Sequence, residues 1–379
     1  MKYIDEESFL SYIKAREIVI WGAGAWGGKI AGYLADKGIK SFKFIDSNAG
    51  GNQYGWEVLS VEYIKKYREN LFVFIACSAR WFEEEYCLLE YGYKKYDEFI
   101  NGTCLNNELL VCKYYMEGKE FAHHLSNKEL DLIERNVKDA GIDFEIVSVD
   151  LDHAEELEFE QKFDFARYYS KGSNITYQRK VWEYWFAFKL LGLEHYKKDD
   201  VYVDIGSCTS MWVFYLRRLF SLNAFGIDIC EGPVKEDYYI VADAKALPFS
   251  DNSVEGISMQ STFCLLEDDL EVLHECWRVL KKNGKIIISP LYLYPENVCA
   301  ASAEYYAKGY CDKDSKEIIR ADCSGIKKAR YYDVETLKSK ILDACKQFGL
   351  TYKIYCIPTS SIPPFDIAYM KFILEFTKV

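Results

Sequence analysis

The sequence lacks an excess of basic charge. Its 59 acidic and 47 basic side chains leave a formal charge of −12, the opposite of the footprint that nucleic-acid phosphates require, and no polybasic segment suggests an anionic membrane surface. Long apolar runs are missing too: stretches such as "LFVFIAC" fall far short of the roughly 20 residues that a membrane-spanning helix needs. The opening "MKYIDEESFL" has no basic region followed by an apolar one, so no signal peptide is expected. No Cys-x-x-Cys pair occurs among the thirteen cysteines, and Cys311 and Cys323 stand twelve residues apart. Scattered, odd in number and embedded in strand or helix patterns (Cys77, Cys276, Cys345), they read as reduced thiols of a cytoplasmic protein that pack as small hydrophobes. Histidines number only five, and the adjacent His123 and His124 do not share a helix face, so no metal site is expected.

What is present is a long alternation of strands and helices. At 379 residues the chain exceeds one typical core and suffices for two. "EIVIWG" and "FKFID" flank a helix from about Gly28 to Lys37. The helix "SVEYIKKYREN" precedes the uninterrupted apolar strand "LFVFIAC", the pattern of a strand buried on both faces of a parallel sheet. The helix "RWFEEEYCLLEYG" and the short strand "KKYDEFI" complete one half of a doubly wound unit, placed at residues 1–105. Residues 106–165 read as a helical connector. Ser126 to Glu129 form a capping box that opens a helix closed by Gly141, and the nine acids with one lysine between Asp143 and Asp164 read as a solvated charge run. Residues 166–379 form a second α/β unit. It starts with the aromatic helix "ITYQRKVWEYWFAFKLLGL", continues through "VYVDIG", "AFGIDI", "GISMQS" and "KIIISPL", and includes the helix "DDLEVLHECWRVLKK" ending at Asn283-Gly284. The helix "DVETLKSKILDACKQFG" and the strands "YKIYCI" and "YMKFILEF" close the tail. This order implies an α/β protein of two Rossmann-like domains with mostly parallel sheets and helices on both faces.

Each unit contains a strand, a glycine turn, a helix and a second strand that ends in an acid. Asp46 lies 22 residues after Gly24, and Asp228 lies 22 residues after Gly206. Such a turn lets backbone approach a ligand, and the acid can accept hydrogen bonds from ribose hydroxyls. The first loop, Gly22-Ala23-Gly24-Ala25-Trp26-Gly27, suggests a nicotinamide dinucleotide, yet only one mononucleotide half surrounds it.

The second unit carries more context. Its "VYVDIGS", "GIDI" and "DAKALPFSDNSVEGI", continued by the spaced E-x-x-R-V-L-K-x-x-G of Glu275 to Gly284, resemble class I S-adenosylmethionine-dependent methyltransferases of the small-molecule branch that includes quinone C-methyltransferases. The resemblance implies that Asp204, Gly206 and Ser207 form the turn around the methionine part of S-adenosyl-L-methionine. It implies that Asp228 binds the ribose hydroxyls, that Asp243 and the Ala244 backbone read adenine, and that Gln260 borders the methyl-transfer face. Two positions depart from the pattern. The turn reads "GSCTS", with Cys208 and Ser210 in place of further glycines, and Val254-Glu255 replaces the usual Phe-Asp.

The sulfonium makes its methyl group electrophilic, so the protein must align an acceptor and exclude water. A hydroxyl acceptor would also need a base, which no motif identifies; His274 lies inside a helix pattern and reads as structural. Candidates for an acceptor pocket beyond the strand ends are Tyr292, Tyr294, Arg330, Tyr331 and Tyr332, with Tyr177 and Arg179 available to close over the cofactor.

The series "VIWGAG", "FIDSN" and "VFIAC" over about residues 15–105 resembles the small N-terminal domain of bacterial sugar acyltransferases and related surface-polysaccharide enzymes. It implies a nucleotide or nucleotide sugar at Gly22, Gly24, Gly27 and Asp46, or a scaffold. The expected function is methyl transfer to a small molecule or sugar in surface-polysaccharide biosynthesis, without nucleic acid or membrane span. An NAD-dependent oxidoreductase and a non-catalytic nucleotide-binding protein are the alternatives.

Overall fold

The structure is a computed structural model that describes residues 3–47, 52–77, 81–123, 125–147, 174–207, 210–309, 314–321, 325–358 and 371–379, without the side chains of 81–83 and 174–179. The chain divides into two units. The first comprises Met1–Ala122, Ala300–Asp312 and Glu317–Lys328; the second comprises His123–Cys299, Lys313–Lys316 and Ala329–Val379.

The first unit opens with α1 (Glu6–Lys14). Its start is fixed by a capping box in which Asp5 accepts the Ser8 N–H at 2.8 Å and Ser8 Oγ accepts the Asp5 N–H at 3.2 Å. Then follow β1 (Glu17–Trp21), α2 (Ala25–Asp36), β2 (Lys43–Asp46), β3 (Asn52–Gln53), β4 (Trp56–Ser60), α3 (Glu62–Lys66), β5 (Leu71–Ile75), α4 (Trp81–Glu90), β6 (Phe99–Asn101) and α5 (Leu105–Met116). The sheet runs β3-β4-β2-β1-β5-β6, parallel except for the β3–β4 pair. Every residue of β5 is buried, because helices cover both faces of a parallel sheet. Strand order moves outward from β1 to β4, then resumes on the other side of β1 with β5. The switch point therefore lies at the carboxyl ends of β1 and β5.

The second unit begins with α6 (Asn127–Asp139), whose capping box joins Ser126 and Glu129 as the sequence suggests. Next come β7 (Phe144–Ile146), α7 (Asn174–Leu191), β8 (Val201–Ile205), α8 (Trp212–Phe220), β9 (Asn223–Asp228), β10 (Tyr239–Val241), β11 (Val254–Gln260), α9 (Asp269–Val279) and β12 (Leu280–Ser289). In chain order β13 (Val298–Ser302) and β14 (Lys316–Arg320) come next and fall largely in the first unit; β15 (Ala329–Tyr331), β16 (Leu350–Cys356) and β17 (Phe372–Lys378) then complete the second. The large sheet runs β10-β9-β8-β11-β12-β17-β16-β7. Strands β8 to β12 are parallel, and β17 lies antiparallel to both β12 and β16. Ile286, Ile287 and Ile288 in β12 are fully buried; each stabilises the fold by about 1.5–3 kcal/mol through burial. The switch point lies between β8 and β11.

Three expectations need correction. Residues 144–146 are not solvated connector: they form β7, which pairs in parallel with β16, Ile354 opposite Phe144. Helix α9 stops at Val279 rather than at Asn283-Gly284, because Leu280 already pairs with Val254 in the sheet and Ser253 N–H bonds to the Val279 carbonyl at 2.8 Å. Cys112, Cys276, Cys345 and Cys356 are buried free thiols, but Cys104 is disulfide-bonded, so not every cysteine is a reduced thiol. Among the described residues, no helix is long and apolar enough to cross a membrane, and no group of three or more His, Cys, Asp or Glu could hold a metal ion.

Candidate functional site

In the second unit the sheet brings polar groups to the switch point. Asp204, next to last in β8, lies opposite Ser258 of β11. Its carboxylate accepts hydrogen bonds from Ser258 Oγ at 2.5 Å and from Gln260 Nε2 at 3.3 Å. Behind them, Tyr202 OH meets Ser258 Oγ at 2.6 Å and accepts from Trp212 Nε1 at 2.9 Å. Asp204 is only 2% exposed. Burial pushes its carboxyl up to about 7, against the opposing pull of the Ser258 hydrogen bond, the Lys180 charge and Gln260.

Gly206 follows in the left-handed region at φ +77°, and a Cβ there would meet Thr262 Oγ1 at 2.1 Å. The β8 turn and the end of β11 therefore touch backbone to side chain, which only glycine permits. Ser207, also buried, receives its position from the Ile227 carbonyl, which accepts both the Gly206 and Ser207 N–H groups. Cys208 lies outside the described residues. Ser210 Oγ meets Tyr184 OH at 2.6 Å and accepts the Trp212 N–H at 3.1 Å at the start of α8.

Asp228 ends β9 and accepts the Cys230 N–H at 3.0 Å, while its carbonyl accepts the Ala242 N–H after β10. Asp243 is exposed and turns onto the Lys245 N–H at 2.9 Å; Ala244 beside it is buried. The stretch that resembles the family most strongly is a latch holding this loop. Arg278 Nη1 donates to Asp251 at 2.6 Å and to the Phe249 carbonyl at 3.0 Å, while Glu275 accepts from Arg278 and from the Leu247 N–H. The Arg278 hydrogen bonds hold the Glu275 carboxyl below its usual range. Spacing Glu275 and Arg278 three residues apart puts both on one face of α9, where they hold the loop from Leu247 to Asp251.

Gln260 is 8% exposed and its Oε1 is a buried acceptor without a partner among the described residues. An orphaned acceptor of this kind is expensive unless a ligand donor meets it. Ser261, the next residue, has φ +54°, strained for a residue with a side chain. Its hydroxyl donates to Glu183 at 2.9 Å and accepts from Lys180 at 3.1 Å, and Lys180 pairs with the fully buried Glu183 at 2.8 Å. Sequence reading missed Tyr202, Ser258, Lys180, Glu183 and Ser261. A signal existed: Ser258 and Gln260 sit two apart on the buried end of β11, either side of Met259, which places both side chains on one face.

The acceptor-pocket candidates form an aromatic stack. Tyr331 lies 5.5 Å from Tyr292 and 5.6 Å from Tyr294, ring centre to ring centre, and Tyr294 OH donates to the His123 carbonyl at 2.6 Å. Arg330 is engaged by Asp269, which also accepts from Tyr332 OH. The side chains of Tyr177 and Arg179 and all of His124 lie outside the described residues. His274 packs on Trp277 and Phe348 at 5.4 and 5.3 Å.

In the first unit the glycine loop is drawn onto itself. Asp46 Oδ2 accepts the Ala23 N–H at 3.0 Å, and Tyr54 OH donates to the Gly24 carbonyl at 3.1 Å. Gly22 packs against Cys77 and Ala76, and a Cβ on Gly27 would lie 2.1 Å from the Gly22 carbonyl oxygen, so here glycine serves close helix–strand packing.

Residues 203–288 match the family described as a methyltransferase domain. Over 81 residues the chain is 37% identical to the demethylmenaquinone methyltransferase of Thermotoga maritima, a match covering 21% of this chain and 34% of that protein. The chain thus spans about a third of the length of the curated relative it matches. Among solved structures, a methyltransferase of Thermotoga maritima described as a possible histamine N-methyltransferase is 16% identical, with 57% of this chain and 99% of that chain covered and a TM-score of 0.33. The 1,6-didemethyltoxoflavin N1-methyltransferase of Burkholderia thailandensis, solved with S-adenosylhomocysteine, is 11% identical, with 61% and 91% covered and a TM-score of 0.36.

Proposed function

We propose that the protein is an S-adenosylmethionine-dependent methyltransferase of the cytoplasm whose acceptor is a small molecule or a sugar, in surface-polysaccharide biosynthesis. The observation that carries the reading is the gathering of Asp204, Asp228 and Gln260 at the carboxyl ends of β8, β9 and β11, within the stretch matched by the methyltransferase family. The cofactor presents an ammonium, a sulfonium and two ribose hydroxyls. The residues supply carboxylates, a buried orphan acceptor at Gln260 Oε1 and a glycine turn with no room for a side chain. This acceptor-rich set fits a cationic ligand.

When bound, the cofactor supplies an electrophilic methyl group. Asp228 would hold the ribose as an acceptor for its hydroxyls, Asp243 and the Ala244 backbone would take the adenine edge, and Gln260 Oε1 would receive the ammonium. Gly206 and Ser207 bring the β8 turn against the methionine part, and the Tyr292–Tyr294–Tyr331 stack lines the acceptor side. Their shared work is alignment and exclusion of water. For the first unit we propose a phosphate-bearing ligand, a nucleotide or nucleotide sugar.

Calorimetry of the full chain with S-adenosylmethionine, S-adenosylhomocysteine and NADH in parallel tests this reading. Saturable binding of the first two at one site, with no heat from NADH, is expected. Binding of NADH with none of S-adenosylmethionine would reject it.

A further inference from the structure

A cavity of about 460 Å³ lies within the first unit, between one face of α2 and the turn that leads from β6 into α5. Trp26, Lys29 and Tyr33 come from positions that share a helix face; Thr103, Asn106 and Asn107 come from the turn and the first residues of α5. The volume is within the range of small-ligand pockets, about 300–1,000 Å³. We propose that this cavity, and not the Gly22–Gly27 loop, binds the unit's ligand, a phosphorylated hydroxyl-rich ring of the sugar-phosphate class. The proposal rests on the reading that the first unit takes a phosphate-bearing ligand, and it fixes where and of what kind.

Four observations carry it. The loop's own groups are engaged: Asp46 holds the Ala23 N–H and Tyr54 holds the Gly24 carbonyl, so the acid is turned onto the protein. Two aromatic rings line the cavity, the kind of flat face on which sugar or base rings stack. Lys29 places its ammonium 4.1 Å from the centre of the Trp26 ring and forms no ion pair among the described residues, which leaves a cation for phosphate at that end. The opposite side carries hydrogen-bonding groups suited to hydroxyls. Asn107 is 6% exposed and its Oδ1 accepts the Glu304 N–H at 3.3 Å, Glu304 itself lines the cavity, and Thr103 is held in place by Asn101. Glu304 would repel a phosphate and accept from ring hydroxyls. The ligand's anionic end therefore belongs beside Lys29, and its hydroxyls beside Asn107 and Glu304.

The closest backbone supports the same polarity. Cys104 stands at the start of α5 and its side chain does not cap the helix, so the first-turn N–H groups beside the cavity carry no cap from it. A Cβ on Gly102 would lie 2.4 Å from Ile30 Cδ1 and 3.1 Å from the Ile75 carbonyl oxygen; the turn is packed closely onto α2, and Ile30 would have to shift for a larger residue.

The test is calorimetry of the full chain with glucose 1-phosphate, UDP-glucose, glucose and inorganic phosphate, on wild type and on Trp26→Ala, Lys29→Ala and Asp46→Ala, with S-adenosylmethionine titrated as an independent check on each variant. A phosphorylated sugar should bind at least tenfold more tightly than glucose or phosphate alone. Lys29→Ala should weaken it about tenfold, Trp26→Ala by more, and Asp46→Ala not at all. Preference for UDP-glucose identifies a nucleotide-linked sugar as the source, and preference for glucose 1-phosphate a free one. Lys29 is exposed, so its variant keeps the test valid where Trp26→Ala fails to fold. Binding lost in Asp46→Ala and retained in the other two would overturn the cavity while leaving a phosphate ligand in the unit. Absence of binding to all four probes would overturn both.

Discussion

The two units share one local grammar and use it differently. In the first, the central strand β1 is apolar from Ile18 to Trp21, and the acid that ends β2 closes back on the glycine loop. In the second, the central strand carries Tyr202 and Asp204, and the neighbouring strand answers with Ser258 and Gln260. A glycine turn says where backbone can approach a ligand. The polarity of the adjacent strand ends says whether the turn faces a charged one. Glycine itself also differs: Gly206 needs its left-handed φ and the space taken by Thr262, whereas Gly27 needs only the space against Gly22.

The sharpest way to break the comparison is to add one methyl group to each turn. Gly206→Ala meets both steric contact and an unfavourable φ, so S-adenosylmethionine affinity should fall more than 100-fold, with a stability loss of about 1–3 kcal/mol. Gly27→Ala should destabilise the first unit comparably in thermal melts while cofactor affinity stays unchanged. Equal loss of cofactor binding in both would end the distinction.

A smaller effect is expected at the adenine position. Asp243→Ala should weaken the cofactor about tenfold, one lost charge-assisted hydrogen bond at about 1.5 kcal/mol, and Asp243→Asn by less, because the amide keeps an acceptor. Titrations that leave both variants at the wild-type value would reduce Asp243 to the turn bond it makes with Lys245.

Smaller still, and dependent on pH, is the effect of the buried carboxyls. Each unit holds one that burial pushes up to about 7, Glu108 in the first and Asp204 in the second. A carboxyl raised above its unfolded value stabilises the fold in its protonated form, so that contribution is complete below about pH 4 and is lost as pH rises through about 7. Asp204→Asn and Glu108→Gln should each flatten part of the fall in melting temperature between about pH 4 and 7. Only Asp204→Asn should also flatten cofactor affinity, which in the wild type should rise over that interval as the carboxylate forms beside a cationic ligand. A flattened affinity profile in Glu108→Gln would contradict the assignment.

The smallest effect belongs to Gly24→Ala. A Cβ there meets nothing within 4 Å and the residue's φ is −79°, so cofactor binding should not change, and stability should fall by no more than the roughly 1 kcal/mol by which glycine surpasses alanine at a helix N-cap.

Much of this arrangement was legible in the residues. The switch from period-two to helical patterns located the parallel strands, and the acids at the ends of β2 and β9 followed from spacing after a glycine turn. Contacts between distant strands were not legible. Asp204 draws its environment from Ser258, 54 residues away, and the cavity beside Trp26 is completed by Glu304. The charge run after Asp143 hid β7, because an edge strand that pairs with β16 requires no apolar signature of its own. The reach of α9 was overestimated because Leu280, a good helix former, is claimed by its pairing with Val254.

The central claim is that the second turn, not the first, holds the nucleoside cofactor. Calorimetric titration of S-adenosylmethionine into Asp228→Ala and Asp46→Ala of the full chain tests it most directly. Removing Asp228 eliminates the acceptor for two ribose hydroxyls, each contributing about 0.5–1.5 kcal/mol, so affinity should fall by about one to two orders of magnitude, while Asp46→Ala retains the wild-type value. Unchanged affinity in a folded Asp228→Ala, or a loss confined to Asp46→Ala, would contradict the account.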